Sequence, residues 1–187
     1  LKDAELSYSK AIELKPDYTE AHSNLGIILR DLGNLQDAES SYRKAIKIKP
    51  DFAEAHYNLG IILKDLANLQ EAELSLRKAI EINPDFAEAH SNLGIILKDI
   101  GKLKEAEVST RKAIEINPNS AHINYIYLAD ILLYRGKIES SNKLLKEFLD
   151  LKDTDFINRI YANIYISIIF FIKGDFLKAS NHIFKIK

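Results

Sequence analysis

The sequence predicts an all-α protein, an α-solenoid of stacked antiparallel helix hairpins, and three observations predict it. The only prolines, Pro16, Pro50, Pro84 and Pro118, stand 34 residues apart, and a fixed period in this range marks a chain of stacked repeats. The stretch 53–86 recurs with small changes at 19–52 and 87–120. Each copy holds two segments with apolar residues at helical spacing, separated by helix stop and start residues. The chain therefore reads as a half repeat over 1–18, full repeats over 19–52, 53–86 and 87–120, and two looser hairpins over 121–187.

The half repeat corresponds to a second helix without its first. It presents Ala4, Tyr8, Ala11 and Ile12, and with no first helix of its own that face is expected to lie open and to favour self-association. Leu1 matches Leu35, Leu69 and Leu103 in register, so the chain reads as starting inside a repeat.

In the central repeat the first helix is expected from about Phe52 to Leu66. Asp51 with Glu54 has the spacing of a capping box, as do Asp17 with Glu20 and Asp85 with Glu88. The helix ends at Ala67, where the neighbouring copies have Gly33 and Gly101, residues suited to a left-handed stop. The second helix is expected from Leu69 to Ile82, with Asn68 and Glu71, like Asn34 and Asp37, at its start. It stops before Pro84, because a proline disfavours helical geometry in the residue ahead of it.

Ala55, Leu59, Gly60, Ile62, Leu63 and Leu66 share one face of the first helix, and Leu69, Ala72, Leu76, Ala79 and Ile80 one face of the second. Gly60 with Ala72, Gly26 with Ala38 and Gly94 with Ala106 are the expected close approaches between the helices of a hairpin. Glu39 with Arg43, Glu73 with Arg77 and Glu107 with Arg111 are four apart on second helices and read as surface pairs.

After Ser120 the period slips. Leu128-Ala129 restores the close-contact pair one residue late, and Gly136 and Gly174 are 38 residues apart. Hairpins are expected with Lys137–Leu151 as one second helix, and Asp155–Ile172 followed by a helix reaching Ile186. Tyr125, Tyr127, Tyr134, Phe148, Tyr161, Tyr165, Phe170 and Phe171 are expected to build a broader core, with 164–172 a buried helix; that run is too short to cross a bilayer.

Small-x-x-x-Leu-Gly in the first helix (Ala55, Leu59, Gly60), Ala-x-x-x-Leu-x-x-Ala in the second (Ala72, Leu76, Ala79) and a closing proline resemble the tetratricopeptide repeat family over residues 1–120. His22, His56 and His90 stand where the family often has Trp. The wording of the copies is similar to the superhelical repeats attached to O-linked N-acetylglucosamine transferase and its bacterial relatives. This resemblance implies a right-handed superhelix whose first helices line a concave groove.

On that lining the repeats place Asn24, Asn58 and Asn92 as a ladder, with Tyr57 in the central copy; Ile27, Ile61 and Ile95 as an apolar rail; and Arg30, Lys64 and Lys98 beside Asp31, Asp65 and Asp99 as a charged rail. An amide both donates and accepts, so a ladder of amides suits an extended peptide backbone. The resemblance implies that use for the three asparagines. Ser23, Tyr57 and Ser91 replace the cationic cluster with which some family members hold a C-terminal carboxylate, so that mode is not expected here.

Composition narrows the function. Net charge is −1 with 28% charged residues in mixed order, without the basic field that phosphate backbones require; nucleic acid and membrane are not expected partners. There is no cysteine, hence no disulfide or thiolate chemistry. The recurring histidines are a repeat apart, on the order of 10 Å, too far to share one metal ion. No phosphate loop or zinc-protease motif is present. The reading is a non-enzymatic, cofactor-free protein- or peptide-binding scaffold in a cytoplasmic setting. The alternatives are a substrate-recruiting arm of a glycosyltransferase or sulfotransferase, or a structural oligomerisation element joined through the N-terminal half repeat or the aromatic C-terminal end.

Overall fold

The computed structural model describes residues 1–118, 122–151 and 156–183, with side chains described to residue 180. Regular structure among them is helical throughout: α1 (Lys2–Leu14), α2 (Thr19–Asp31), α3 (Leu35–Ile48), α4 (Ala53–Asp65), α5 (Leu69–Ile82), α6 (Ala87–Asp99), α7 (Leu103–Ile116), α8 (His122–Tyr134), α9 (Ile138–Leu149), α10 (Phe156–Ile172) and α11 (Phe176–Ile183). The expected helix ends at Asp155 and Ile186 fall outside the described residues.

Backbone contacts group the chain into two units, Leu1–Ile96 and Leu97–Lys187. In the first, α1 packs on α2, α2 on α3, α3 on α4 and α4 on α5, and the first helices α2 and α4 also touch. In the second, α7 packs on α8, α8 on α9, α9 on α10 and α10 on α11, with α8 touching α10. Within each unit successive helices thus cover one another, as a repeat fold requires.

The hairpin core of α4 and α5 is the predicted one: Ala55, Leu59, Ile62, Leu63, Ala72, Leu76 and Ala79 are buried, each large aliphatic side chain worth about 1.5–3 kcal/mol. At Gly60 the facing helix leaves no room for a side chain. A Cβ built there would lie 2.7 Å from Leu76 Cγ and 3.3 Å from the Ala72 carbonyl oxygen. At Gly26 the neighbour is the ring of Tyr42, at 2.8 Å, so the small residue makes room for a side chain as much as for the facing backbone.

First helices end in one recurrent way. Gly33 N–H donates to the Arg30 carbonyl and Asn34 N–H to that of Leu29, the paired bonds of a Schellman motif. The same two bonds recur after α4, α6, α8 and α10. Gly33, Gly101, Gly136 and Gly174 have φ of 71–82° there, and Ala67 holds φ 61°, the one non-glycine with positive φ among the described residues.

Helix starts differ from the capping-box expectation. The N-caps of α2 and α4 are Tyr18 and Phe52, without a side-chain capping bond, and α6 starts at Ala87, two residues beyond Asp85. The reason is the linker. Pro16-Asp17 and Pro50-Asp51 form a turn closed by the Tyr18 and Phe52 amides donating to the carbonyls of Lys15 and Lys49, which moves the N-cap one residue past the aspartate and the helix start two. Asn34 and Asn68 do occupy N-cap positions, but neither side chain caps; the Asn68 amide donates instead to Glu71 Oε2 at 2.9 Å.

The linker is fastened a second time. The Nε2 atoms of His22, His56 and His90 lie 2.9 Å from the carbonyl oxygens of Pro16, Pro50 and Pro84. A carbonyl only accepts, so each imidazole carries its proton on Nε2 and donates. This is the work of the residue standing at the family's Trp position.

In two of the expected surface pairs only the arginine is at the surface. Glu73 and Glu107 are 8% and 7% exposed, paired with Arg77 at 2.9 Å and Arg111 at 3.0 Å. Glu107 also receives Arg135 and, at 3.1 Å, Lys137, both from the end of the α8 turn. Burial pushes its carboxyl up, but hydrogen bonds from Lys137 and Arg111 and the charges of Arg111 and Arg135 outweigh that and hold it below its ordinary value. Arg43 of α3, in turn, binds Glu39 on its own helix at 2.8 Å and Glu71 on α5.

The aromatic end is not one broad core. Phe148 is fully buried with Ile126, Ala129, Leu145, Ala162, Ile166 and Ile169, and Tyr125, Tyr165 and Phe170 pack partly against them. Tyr134, Tyr161 and Phe171 are exposed. Helix α10 is therefore not a buried helix: Ala162, Ile166, Ser167 and Ile169 face inward while Ile164, Ile168, Phe171 and Ile172 stay in solvent. At 17 residues it is four longer than α2, α4, α6 and α8, each of 13. Among the described residues no helix is long and apolar enough to cross a membrane.

The half-repeat face is only partly open. Ala4, Tyr8, Ala11 and Ile12 are half-buried because α2 covers them, and the exposed large apolar residues at this end are Leu1 before the helix and Leu6 and Leu14 within it.

Candidate functional site

In the first unit the candidate residues lie on the sides of α2, α4 and the start of α6 away from the buried stripe. Asn24, Asn58 and Asn92 are half-buried, as are Ile27, Ile61 and Ile95, so the aliphatic rail is partly covered by its neighbours. The three asparagines are not equivalent. Asn92 Nδ2 donates to the Glu88 carbonyl at 3.0 Å and to the Tyr57 hydroxyl at 3.3 Å. Tyr57 is itself set against Phe86, ring centroids 4.8 Å apart. Burial, with the charge of Glu88, raises the Tyr57 phenol above its ordinary value. For Asn24 and Asn58 no side-chain hydrogen bond is formed within the described residues, and their amides stand ready to donate and accept.

The charged rail is locally neutralised. Arg30 pairs with its neighbour Asp31 at 3.2 Å, and Lys64 reaches Asp65 at 4.0 Å.

In the second unit the pattern changes. Lys98 leaves the exposed Asp99 and donates to Asp130 Oδ2 on α8 at 2.8 Å, its ammonium 5.9 Å from the centroid of the Tyr134 ring. Burial pulls the ammonium pKa down, but the hydrogen bond and charge of Asp130, helped by Asp99, outweigh it and leave it above its ordinary value. Tyr165 of α10 faces the same carboxylate. Burial, the Asp130 charge and a hydrogen bond given to it push that phenol up to about 12. Asp130 and Tyr165 were not among the residues expected from the repeat. The signal was the one-residue slip after Ser120, which sets Asp130 in the place of Ile95 and Tyr127 in that of Asn92.

Among the described residues no three His, Asp or Glu side chains are grouped to hold a metal ion. Two open clefts lie away from these faces. One of about 410 Å³ is lined by Arg43, Lys47, His56, Glu71 and Lys78 over Ile46, Leu59 and Leu74; a smaller one of about 240 Å³ is lined by Arg111, Lys143 and Glu147.

Sequence models described as TPR repeat match residues 28–67, and models described as tetratricopeptide repeat match 7–40, 53–86 and 87–120. The chain is a tetratricopeptide-repeat protein. No curated protein matches this TPR chain in sequence. Among solved structures it is similar to MamA, at 27% identity over 78% of this chain and 85% of that one with a TM-score of 0.74. It is similar in fold to YrrB, described as a TPR protein with an unusual peptide-binding site, at 18% identity, 96% and 92% coverage and TM-score 0.80. A third, pilF of Pseudomonas aeruginosa, shares 20% identity over 97% and 80% of the two chains with TM-score 0.79. The TPR fold is thereby an all-α solenoid, in keeping with the helix hairpins described above.

Proposed function

We propose that this TPR chain is a non-enzymatic scaffold that binds an extended segment of a protein partner along its first helices. The observation that carries the reading is the pair Asn24 and Asn58: two half-exposed amides without an intramolecular partner among the described residues, at equivalent positions of α2 and α4, helices that touch each other. A primary amide left unpaired beside apolar Ile27 and Ile61 is suited to the N–H and C=O groups of a strand-like peptide, with the isoleucines meeting its side chains. Tyr57 and Asn92 supply a third, more rigid rung. Arg30 and Lys64 with Asp31 and Asp65 form a polar margin that tunes which side chains the segment carries. The peptide-binding description of YrrB supports the same use for this fold. No catalytic step is assigned to the chain, and a cytoplasmic setting is part of the proposal.

The test is a display screen of random 12–15-residue peptides, on the order of the length two or three repeats span, against the parent and an Asn24→Ala/Asn58→Ala/Asn92→Ala variant whose helicity is checked by circular dichroism. Selected peptides are expected to lose at least about tenfold in affinity, roughly 1.4 kcal/mol, in the folded variant. Equal affinity for both proteins would move the binding surface elsewhere.

A further inference from the structure

The second unit replaces the amide and isoleucine surface by a carboxylate among tyrosines. Asp130 takes the position that Ile27, Ile61 and Ile95 hold in the earlier copies, and Tyr127 takes that of the asparagines. A carboxylate substituted into an aliphatic rail calls for a cation, and here one is present. Lys98 reaches across from α6 to α8, passing over its own neighbour Asp99, whereas Arg30 and Lys64 stay with Asp31 and Asp65. Its ammonium is held by Asp130 at 2.8 Å and faces the Tyr134 ring at 5.9 Å, within the range of cation–π attraction. The Tyr165 hydroxyl donates a hydrogen bond to the same carboxylate. The partners come from three helices, and Tyr134 remains 68% exposed, so the ring has a face left for an incoming group.

We propose that Asp130, Tyr134 and Tyr165 form a recognition site for an arginine side chain of the partner, with Lys98 as a tethered occupant that the arginine displaces. A guanidinium is the better fit for the site. It offers a planar fork to both oxygens of one carboxylate and stacks on an aromatic face, neither of which an ammonium does. It is also more weakly hydrated than the lysine it replaces, and the released Lys98 finds Asp99 and water. The site names one side chain for the segment bound in the reading above, but it acts on a single charged group and is tested without that segment.

The probe is N-acetyl-arginine amide, titrated into protein carrying 13C-labelled tyrosine rings and followed by NMR. Against the parent, in which Lys98 competes, weak saturable shifts are expected at Tyr134 and Tyr165. In Lys98→Met, which keeps the alkyl chain and removes the competitor, affinity is expected to rise by about tenfold, the scale of one partly desolvated charge contact. N-acetyl-lysine amide should bind more weakly than the arginine probe. Tyr134→Leu, at an exposed position that the fold does not use, should weaken arginine binding several-fold, and adding Asp130→Asn to Lys98→Met should abolish it. Absence of saturable shifts in Lys98→Met, or shifts unchanged in the Asp130→Asn or Tyr134→Leu proteins, would overturn the site. The Asn24/Asn58/Asn92 variant should bind the probe like the parent, so failure of the groove reading and failure of this one give different results.

Discussion

At the level of single residues, the repeat period assigns a conformation to each position, and one residue departs from what that conformation favours. Ala67 sits at φ 61° where the equivalent residues are Gly33 and Gly101. A left-handed L-residue costs about 1–2 kcal/mol, of which the greater freedom of glycine in the unfolded chain takes back a part. Ala67→Gly should therefore stabilise the protein by about 0.5–1 kcal/mol, read as a higher urea midpoint at unchanged slope; an unchanged or lower midpoint would contradict the argument. At Gly60 the sign is opposite. A methyl group there would meet Leu76 Cγ at 2.7 Å, so Gly60→Ala should cost about 1–3 kcal/mol by overpacking. The cost should shrink when Leu76→Ala is added, giving a non-additive double-mutant cycle. Both residues were legible in the sequence, because a missing side chain at a repeating position has few readings. The capping aspartates were not. Asp17 and Asp51 have the spacing of a capping box, but a tight turn after proline claims them first, and spacing alone does not tell a turn residue from a cap.

Helices were legible in their existence and inner face and less so in their outer face. Periodicity names the stripe that must be covered, and every residue so named in α4 and α5 is buried or half-buried. It is silent where apolar residues run all round a helix, as in α10, where Ile, Phe and Tyr occupy both sides. There the decision belongs to which neighbours exist: α8, α9 and α11 cover one side only. The consequence is measurable. Ile166→Ala, at a fully buried site, should cost about 2–4 kcal/mol, while Ile168→Ala, two residues on and exposed, should change stability by less than about 0.5 kcal/mol. Comparable losses in chemical denaturation would mean that the outer side is covered in solution.

For the molecule as a whole, electrostatics is the part that a sequence reveals least. Glu39, Glu73 and Glu107 look identical by spacing, yet Glu107 is buried beneath Arg111, Arg135 and Lys137. Arg135 and Lys137 come from the degenerate part of the chain, where the period no longer says which residues meet. Its folded-state pKa is lowered below the ordinary 4.5. A depressed carboxyl contributes stability that is complete above its unfolded value and is lost as pH falls through the folded one. Thermal unfolding followed from pH 7 down through the carboxylate range should show a falling midpoint, and Glu107→Gln should have a lower midpoint at pH 7 and a flatter slope below pH 5. Parallel curves for the two proteins would show that Glu107 is not the group being titrated. The proposed binding face follows the same rule: Asn24, Asn58 and Asn92 are located by the repeat, whereas the Tyr57 tether on Asn92 and the Lys98–Asp130 contact need distances between repeats.

The extra length of α10 bears on how such a chain can change over generations. Four residues advance a helix by about 6 Å while turning it through little more than one revolution, so an addition of that size leaves the inward face nearly where it was. Gly174 still closes the helix with the same pair of bonds as Gly136. Insertions in this architecture would thus be tolerated in steps of three or four codons, and gains or losses of one or two within a helix would be purged because they rotate the buried face into solvent. The 38-residue spacing from Gly136 to Gly174 holds one such step, whereas the single extra residue between Gly101 and Gly136 lies between α7 and α8, in neither helix.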